Sequence, residues 1–286
     1  MTRLAVFGMG NLGRAAAEII EACHDMELVA MFDLTNSHTV YDYVDAVDVL
    51  LVCVGSAKDA PMHTPQLAKH FNTVDTYDIH AQIGNYADAI RKNQGKGKTS
   101  VIATGWDPGL MSLARIYFSS VKFQTSGVKS FWGPGVSLGH TNAIKAVRGV
   151  QDAIQFTMPK YKRGIHVRLC YVVASGERTR IASEIKSMPN LFAPYKTRVR
   201  FISQKRFNKK FTNRREHAGR VVASDETSML EFRLRTRSNP HLAASVMVAY
   251  AAACHKLNQE GQTGVFTVAD IAPKYLTQHS MTYEYI

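Results

Sequence analysis

The sequence predicts an α/β protein: a Rossmann-type doubly wound parallel sheet with a second, α+β domain. Three observations predict it. An apolar strand, a glycine turn and a helix follow one another at the N-terminus, strand and helix patterns then alternate, and after Gly109 strands come in runs with few helices between them.

The first strand is Leu4 to Phe7, and the helix from Arg14 to Cys23 has Ala15, Ala16, Ile19, Ile20 and Ala22 at apolar helical spacing. A second strand at Glu27 to Phe32 ends in Asp33. The third, Val47 to Val54, is a nearly continuous apolar run, as a parallel sheet covered on both faces requires. Short strands are expected at Thr73 to Asp75 and Ser100 to Thr104, with helices at Thr64 to His70 and Ile79 to Lys92. Beyond Gly109, β character is expected at Val128 to Trp132, His166 to Ala174, Thr197 to Ser203, Arg220 to Ala223 and Met229 to Arg235. Helices are expected at Thr141 to Phe156 and Thr179 to Met188. A long apolar helix, Leu242 to Leu257, follows Pro240 and is placed back against the first domain. The expected division is therefore a dinucleotide-binding domain over 1–109, completed by 240–286, and a substrate-binding and dimerisation domain over 110–239.

At 286 residues, 45% hydrophobic and 20% charged, the chain has the composition of an ordinary globular protein of two domains, which excludes disordered and fibrous classes. Cys23, Cys53, Cys170 and Cys254 lie far apart with no C-x-x-C pair, which argues against a zinc ribbon or a disulfide scaffold and for a cytoplasmic setting. No apolar run approaches the roughly 20 residues that cross a bilayer, so no membrane partner is expected. The net charge of +12 is concentrated: residues 160 to 220 hold 17 basic and 3 acidic residues. Such a block reads either as a solvated basic face or as a polyanion surface. The pairs Lys205-Arg206, Lys209-Lys210 and Arg214-Arg215, with Phe207 and Phe211 between them, motivate a further reading: a Rossmann-type protein, catalytic or not, whose basic half binds single-stranded nucleic acid or an acidic partner.

Gly8-x-Gly10-x-x-Gly13 follows the first strand and opens the first helix, the context a dinucleotide fingerprint needs. Gly8 allows the tight turn, Gly10 lets backbone approach a pyrophosphate, Gly13 lets helix and strand pack closely, and the helix N-terminus favours the anion. About twenty residues on, an acidic residue bonds the ribose 2′-hydroxyl of NAD, whereas an arginine accommodates the 2′-phosphate of NADP. Here that residue is Asp33, which suggests NAD(H). Asp78 and Asp107 each lie just past a strand, on the side where ligands of open α/β sheets collect, and two such carboxylates suit a substrate ammonium.

The ordered set Gly8-Met9-Gly10-Asn11-Leu12-Gly13, Val74-Asp75-Thr76-Tyr77-Asp78, Thr104-Gly105-Trp106-Asp107-Pro108-Gly109, Phe131-Trp132-Gly133-Pro134-Gly135, Gly139-His140-Thr141 and Ser238-Asn239-Pro240 resembles the meso-diaminopimelate dehydrogenase family, closer to its shorter branch. The resemblance spans nearly the whole chain. It implies a cytoplasmic homodimer of lysine biosynthesis that oxidatively deaminates the D-centre of meso-2,6-diaminopimelate with NADP(H), giving L-2-amino-6-oxopimelate and ammonia. It casts Asp78 and Asp107 as catalytic carboxylates at the D-centre, with Trp106 and Trp132 as walls. It gives Gly139, Thr157, Arg168, His217 and Asn239 to substrate binding, the last four at the distal L-centre. It gives Gly8, Gly10, Asn11, Leu12, Gly13, Asp33 and Ser56 to the cofactor, and no residue to a metal. The chain departs from the family in three places. Asp33-Leu34 stands where members commonly carry two arginines, Leu138 and Asn142 replace Gln and Asp, and the loop before His217 reads Arg215-Glu216. These departures motivate an alternative, a dehydrogenase of another amino acid on the same fold.

Overall fold

The structure, a computed structural model, describes residues 1–121, 127–160, 165–189, 191–212, 214 and 216–277, with backbone only at Leu138 and Ile165. The chain divides into two compact units, Met1–Ile116 with Pro240–Ile286, and Tyr117–Asn239.

The first unit opens with β1 (Thr2–Phe7), α1 (Asn11–Glu21), β2 (Met26–Phe32) and β3 (Val49–Val52). It continues with α2 (Asp59–Leu67), β4 (Thr73–Asp75), α3 (Ile83–Asn93), β5 (Thr99–Ile102) and α4 (Leu110–Ser120). The expected helix at Thr64 to His70 is thus the end of α2, which starts at Asp59 and contains Pro65. The first unit runs to Ile116 rather than ending at Gly109, because Leu110 and Leu113 of α4 pack against its core.

The second unit contains β6 (Lys129–Trp132), β7 (Gly135–Val136), α5 (Leu138–Lys145), β8 (Val150–Lys160) and β9 (Ile165–Ala174). After these come α6 (Arg178–Ser187), β10 (Lys196–Phe201), α7 (Gln204–Phe211), β11 (His217–Ser224) and β12 (Met229–Thr236). The helix expected over Thr141 to Phe156 is a correction: helix ends at Lys145, Gly149 turns the chain at φ +92°, and β8 begins at Val150. Strand β8 is interior, paired with β7 and β9, and Ala153, Ile154, Gln155 and Thr157 are all buried. A strand buried on both faces loses the polar alternation that would identify it in sequence. Its sheet has the order β10-β9-β8-β7; α5 and α6 cover one face around Ile144, Cys170, Val172, Ile181 and Phe192. Helix α7, unexpected from sequence, belongs to the cluster of Ile154 and Val173, into which Phe207 is buried with Phe211 packed beside it. A separate sheet has the order β12-β11-β6.

The chain returns through α8 (Asn239–Gln259) and β13 (Gly264–Thr267). Strand β13 completes a six-stranded sheet of order β13-β5-β4-β3-β1-β2, every pair parallel. Helix α8 packs with α1 on one face, burying Met247, Tyr250, Ala251 and Cys254 against Leu4, Val6, Val49 and Leu51. The period of two along β1 and β3 sends Ala5, Phe7, Leu50 and Val52 to the other face, against Leu67 and Phe71. The order reverses between β1 and β3, so the switch-point crevice, where ligands of open α/β sheets bind, lies at their carboxyl ends. Among the described residues no helix is long and apolar enough to cross a membrane.

Candidate active site

At that switch point a cleft of about 430 Å³ is lined by Gly8, Met9, Gly10, Asp33, Leu34, Thr35, Cys53, Val54, Gly55 and Asp59. The glycines behave as their spacing predicts. Gly8 has φ +111° and a Cβ there would stand 2.5 Å from the Cys53 carbonyl oxygen; at Gly13 it would stand 1.8 Å from that of Gly8. A side chain at either position would force strand and helix apart. Gly10 instead faces open space and leads into the α1 N-terminus, whose Gly10 to Leu12 amides have no residue before them in the helical ladder. An unobstructed backbone at a helix N-terminus fits a pyrophosphate. Of the other cofactor expectations, Leu12 packs on the core and Ser56 does not line the cleft; its hydroxyl accepts the Asp78 N–H at 3.1 Å.

Beside the cleft, the loops after β4 and β5 carry the paired carboxylates, and a third acid joins the two loops. Asp75 Oδ1 accepts the Tyr77 N–H at 2.9 Å and the Ala103 N–H at 3.1 Å, while Oδ2 accepts the Tyr86 hydroxyl at 2.7 Å. Its carbonyl takes the Thr104 N–H and hydroxyl, both at 2.9 Å. The Tyr77 and Tyr86 rings stack at 4.0 Å, and Ala103 sits at φ +58°, a backbone conformation that costs energy outside glycine. Burial pushes the Asp75 carboxyl up to about 6, against the lowering by its three donors. Asp78 therefore follows a loop held by Asp75 and Ser56, with its own side chain exposed. Asp107 differs: its side chain is fully buried and pairs with Arg115 at 2.5 Å, and Arg115 also donates to Ser112 at 2.9 Å. The Nη1 of Arg115 is buried with no hydrogen-bond partner among the described residues. Trp106 is buried next to Asp107.

In the second unit the structure brings Trp132, Thr157, Arg168 and His217 together. Thr157 and Arg168 are cross-strand partners on β8 and β9, and Arg168 donates to the Thr157 hydroxyl at 2.5 Å. Gly135 pairs with Thr157 on one side, and a Cβ there would stand 2.4 Å from the His217 Cα on the other, so only glycine lets this turn thread between them. Trp132 pairs with Gly219 across β6 and β11, and its N–H donates to His166 Nε2 at 3.1 Å. The Arg168 guanidinium lies 4.3 Å over the Tyr195 ring. Burial presses Arg168 below the usual arginine value, yet no carboxylate pairs with it among the described residues. The Arg168 Nε and the Gln155 Oε1 are buried there without a hydrogen-bond partner among the described residues. Burial and the Arg168 charge also lower His140 and His166, each to about 4, so both are neutral near pH 7. His140 bonds Ser137 at 2.6 Å, whereas Gly139 leaves open space beside it and Asn239 is the first residue of α8.

Sequence reasoning missed Asp75, Arg115, His140, His166 and Tyr195. Asp75 and His140 stand inside quoted motifs, so a signal existed; Arg115, His166 and Tyr195 acquire meaning only from their neighbours in space. The aromatic interleaving proposed for the basic segment is corrected: Phe207 is buried and Phe211 packs against Phe156 and Tyr171, which leaves no stacking platform. Arg215 lies outside the described residues, as do the side chain of Leu138 and residues 161–164. Among the described residues no group of three or more His, Cys, Asp or Glu is placed to hold a metal ion.

Residues 105–237 match the family described as the Diaminopimelic acid dehydrogenase C-terminal domain. The meso-diaminopimelate D-dehydrogenase of Lysinibacillus sphaericus is 38% identical, over 94% of this chain and 93% of that protein. The solved C. glutamicum DAP dehydrogenase in complex with DAP aligns with a TM-score of 0.91 at 34% identity, covering 97% of this chain and 96% of that one. An engineered D-amino acid dehydrogenase bound to NADP+ aligns with a TM-score of 0.89 at 33% identity, covering 98% and 97%. With its glycine cleft, its two carboxylate loops and its buried arginine in a chain alike over nearly its full length, this protein belongs to the meso-diaminopimelate D-dehydrogenase family.

Proposed function

We propose that this chain catalyses the nicotinamide-dependent oxidative deamination of meso-2,6-diaminopimelate at its D-centre, giving L-2-amino-6-oxopimelate and ammonia. It acts as a cytoplasmic homodimer in diaminopimelate and lysine metabolism. The observation that carries the choice of substrate is Arg168, a buried guanidinium with neighbours in place and no carboxylate paired with it among the described residues. Buried charges are ordinarily paired, so the missing partner is the distal carboxylate of the ligand, which an arginine grips through two parallel hydrogen bonds. Thr157, His217, Asn239 and the neutral His140 and His166 supply further hydrogen-bonding groups for that end, while Trp132 walls it.

At the D-centre, Asp78 and Asp107 hold the substrate ammonium, and Trp106 excludes water from it. The amine loses a proton before the α-hydrogen departs; exposed Asp78, or a water it holds, accepts that proton, while the Arg115 ion pair fixes Asp107 in place. Gly8, Gly10 and Asp33, which line the cleft, and the N-terminal amides of α1 at Asn11 and Leu12 would hold the dinucleotide, with Gly13 keeping helix and strand close; Ser56 instead steadies the Asp78 loop. When bound, its nicotinamide supplies the hydride acceptor. Water then adds to the resulting substrate imine and ammonia leaves.

A dehydrogenase of another amino acid is less favoured, because a short substrate leaves Arg168 without an anion. The test is dinucleotide reduction by the purified chain with meso-diaminopimelate, against D-alanine and L-lysine. Reduction with the meso compound well above both is expected. Equal or greater activity with D-alanine, or none with any substrate, overturns the reading.

A further inference from the structure

The end of the cleft that discriminates between dinucleotides lies past β2, and its lining is acidic and apolar. Asp33, Leu34, Thr35 and Asp59 contribute two carboxylates, and no residue lining the cleft has a basic side chain. Asp33 is locked in place. Its Oδ1 accepts the Thr35 N–H at 2.7 Å, the Thr35 hydroxyl at 2.5 Å and the Asn36 N–H at 3.0 Å, while Asn36 Oδ1 takes the Asp33 N–H at 2.8 Å. Swinging the carboxylate away would unmake the turn that ends β2. The bond from the Thr35 hydroxyl, with those from the Asn36 and Thr35 amides, holds the carboxyl below the usual range, so it is charged at any working pH. Its Oδ2 accepts no hydrogen bond from the described residues and is left for a ligand hydroxyl.

A ribose diol donates to such an oxygen, whereas a 2′-phosphate meets like charge on a side chain that cannot retreat, with no arginine or lysine among the residues lining the cleft to offset it. We infer that this chain selects NAD over NADP, unlike the solved relative that binds NADP+. The inference rests on the dinucleotide reading of the cleft and concerns only its adenosine end.

The test is equilibrium binding to the full chain, read calorimetrically for NAD+ and NADP+, with 5′-AMP and 2′,5′-ADP as probes lacking nicotinamide. Since like-charge juxtaposition is strongly unfavourable, NAD+ is expected to bind at least about tenfold tighter than NADP+, with 5′-AMP ahead of 2′,5′-ADP in the same sense. Asp33→Asn keeps the Oδ1 acceptor and the turn but removes the charge, and should erase most of the preference; Asp33→Asn with Leu34→Arg should reverse it. Equal or tighter NADP+ binding by the unaltered chain overturns the selectivity while leaving the dinucleotide site standing. Failure of all four probes to bind overturns the dinucleotide reading itself, and the inference with it.

Discussion

The two units solve opposite electrostatic problems. Around the first, carboxylates dominate: Asp33 and Asp59 line the cleft, Asp75 ties its loops together, and Asp78 and Asp107 follow the strand ends, with the partly buried Arg115 paired to Asp107. Around the second, Arg168 sits among His140, His166 and His217, with Gln155, Thr157 and Tyr195 as neutral company. One set suits a substrate ammonium and the other a carboxylate. Carboxylates in one unit and a buried arginine in the other suit a ligand that carries charge of both signs, which favours a diamino diacid over a simple amino acid.

The sharpest break of this contrast is Asp107→Asn. It keeps the shape but removes the charge opposite Arg115, and turnover should fall about a thousandfold, within the range for losing a catalytic carboxylate, while dinucleotide binding is nearly unchanged. Unchanged turnover would remove Asp107 from the chemistry. Next in size is Arg168→Met, which should lower kcat/KM for meso-diaminopimelate about a hundredfold, the scale of a lost buried charge pair, and leave that for D-alanine nearly as it was. Equal losses for both substrates would give Arg168 a structural role only.

The contrast also predicts a pH dependence of stability. His140 and His166 have folded values near 4, below the usual 6.5, so their contribution is present above pH 6.5 and lost as pH falls toward 4. Asp75 runs the other way: its folded value near 6 lies above the usual 3.8, so its contribution is present below about 4 and lost as pH rises through 6. Between pH 4 and 6 the two histidines outweigh the one acid, and stability should rise with pH. Asp75→Asn removes the opposing contribution, worth up to about 3 kcal/mol at roughly 1.4 kcal/mol per pKa unit, and should steepen that rise. Urea titrations of both proteins at several pH values read this directly, and parallel slopes would contradict the assignment. The smallest effect is expected on α7, where Lys205→Ser with Lys209→Ser should change stability by no more than about 0.5 kcal/mol and leave turnover alone, as a solvated face requires.

Most of the first unit was legible because its signals are local. A strand, a glycine turn and a helix are contiguous, and Gly8, Gly13 and Asp33 stand where short-range geometry demands. The second unit was read less well. Strand β8 reads in sequence as the end of a helix, since burial on both faces erases its alternation, and α7 reads only as charge, its Phe207 and Phe211 packing inward once the chain folds. The family resemblance names Trp132, Thr157, Arg168 and His217 but does not explain why they meet. Gly135 does that, by letting a turn pass between Thr157 and the His217 backbone.

The sequence by itself determined the fold class, the glycine cleft, the acid at the end of β2 and the two carboxylates past β4 and β5, because chain order and short spacing suffice to place a residue at the end of a parallel strand. Tertiary structure alone decided which charges are shared and which are left over. Asp75 holds Ala103 from 28 residues away, Arg115 reaches back eight residues to Asp107, and Arg168 finds Tyr195 and Thr157 but no acid among the described residues. Hydrogen bonds and ion pairs form between atoms a few ångströms apart in space, whatever their separation along the chain. The balance of charge in a site is therefore a property of packing, which no local pattern encodes.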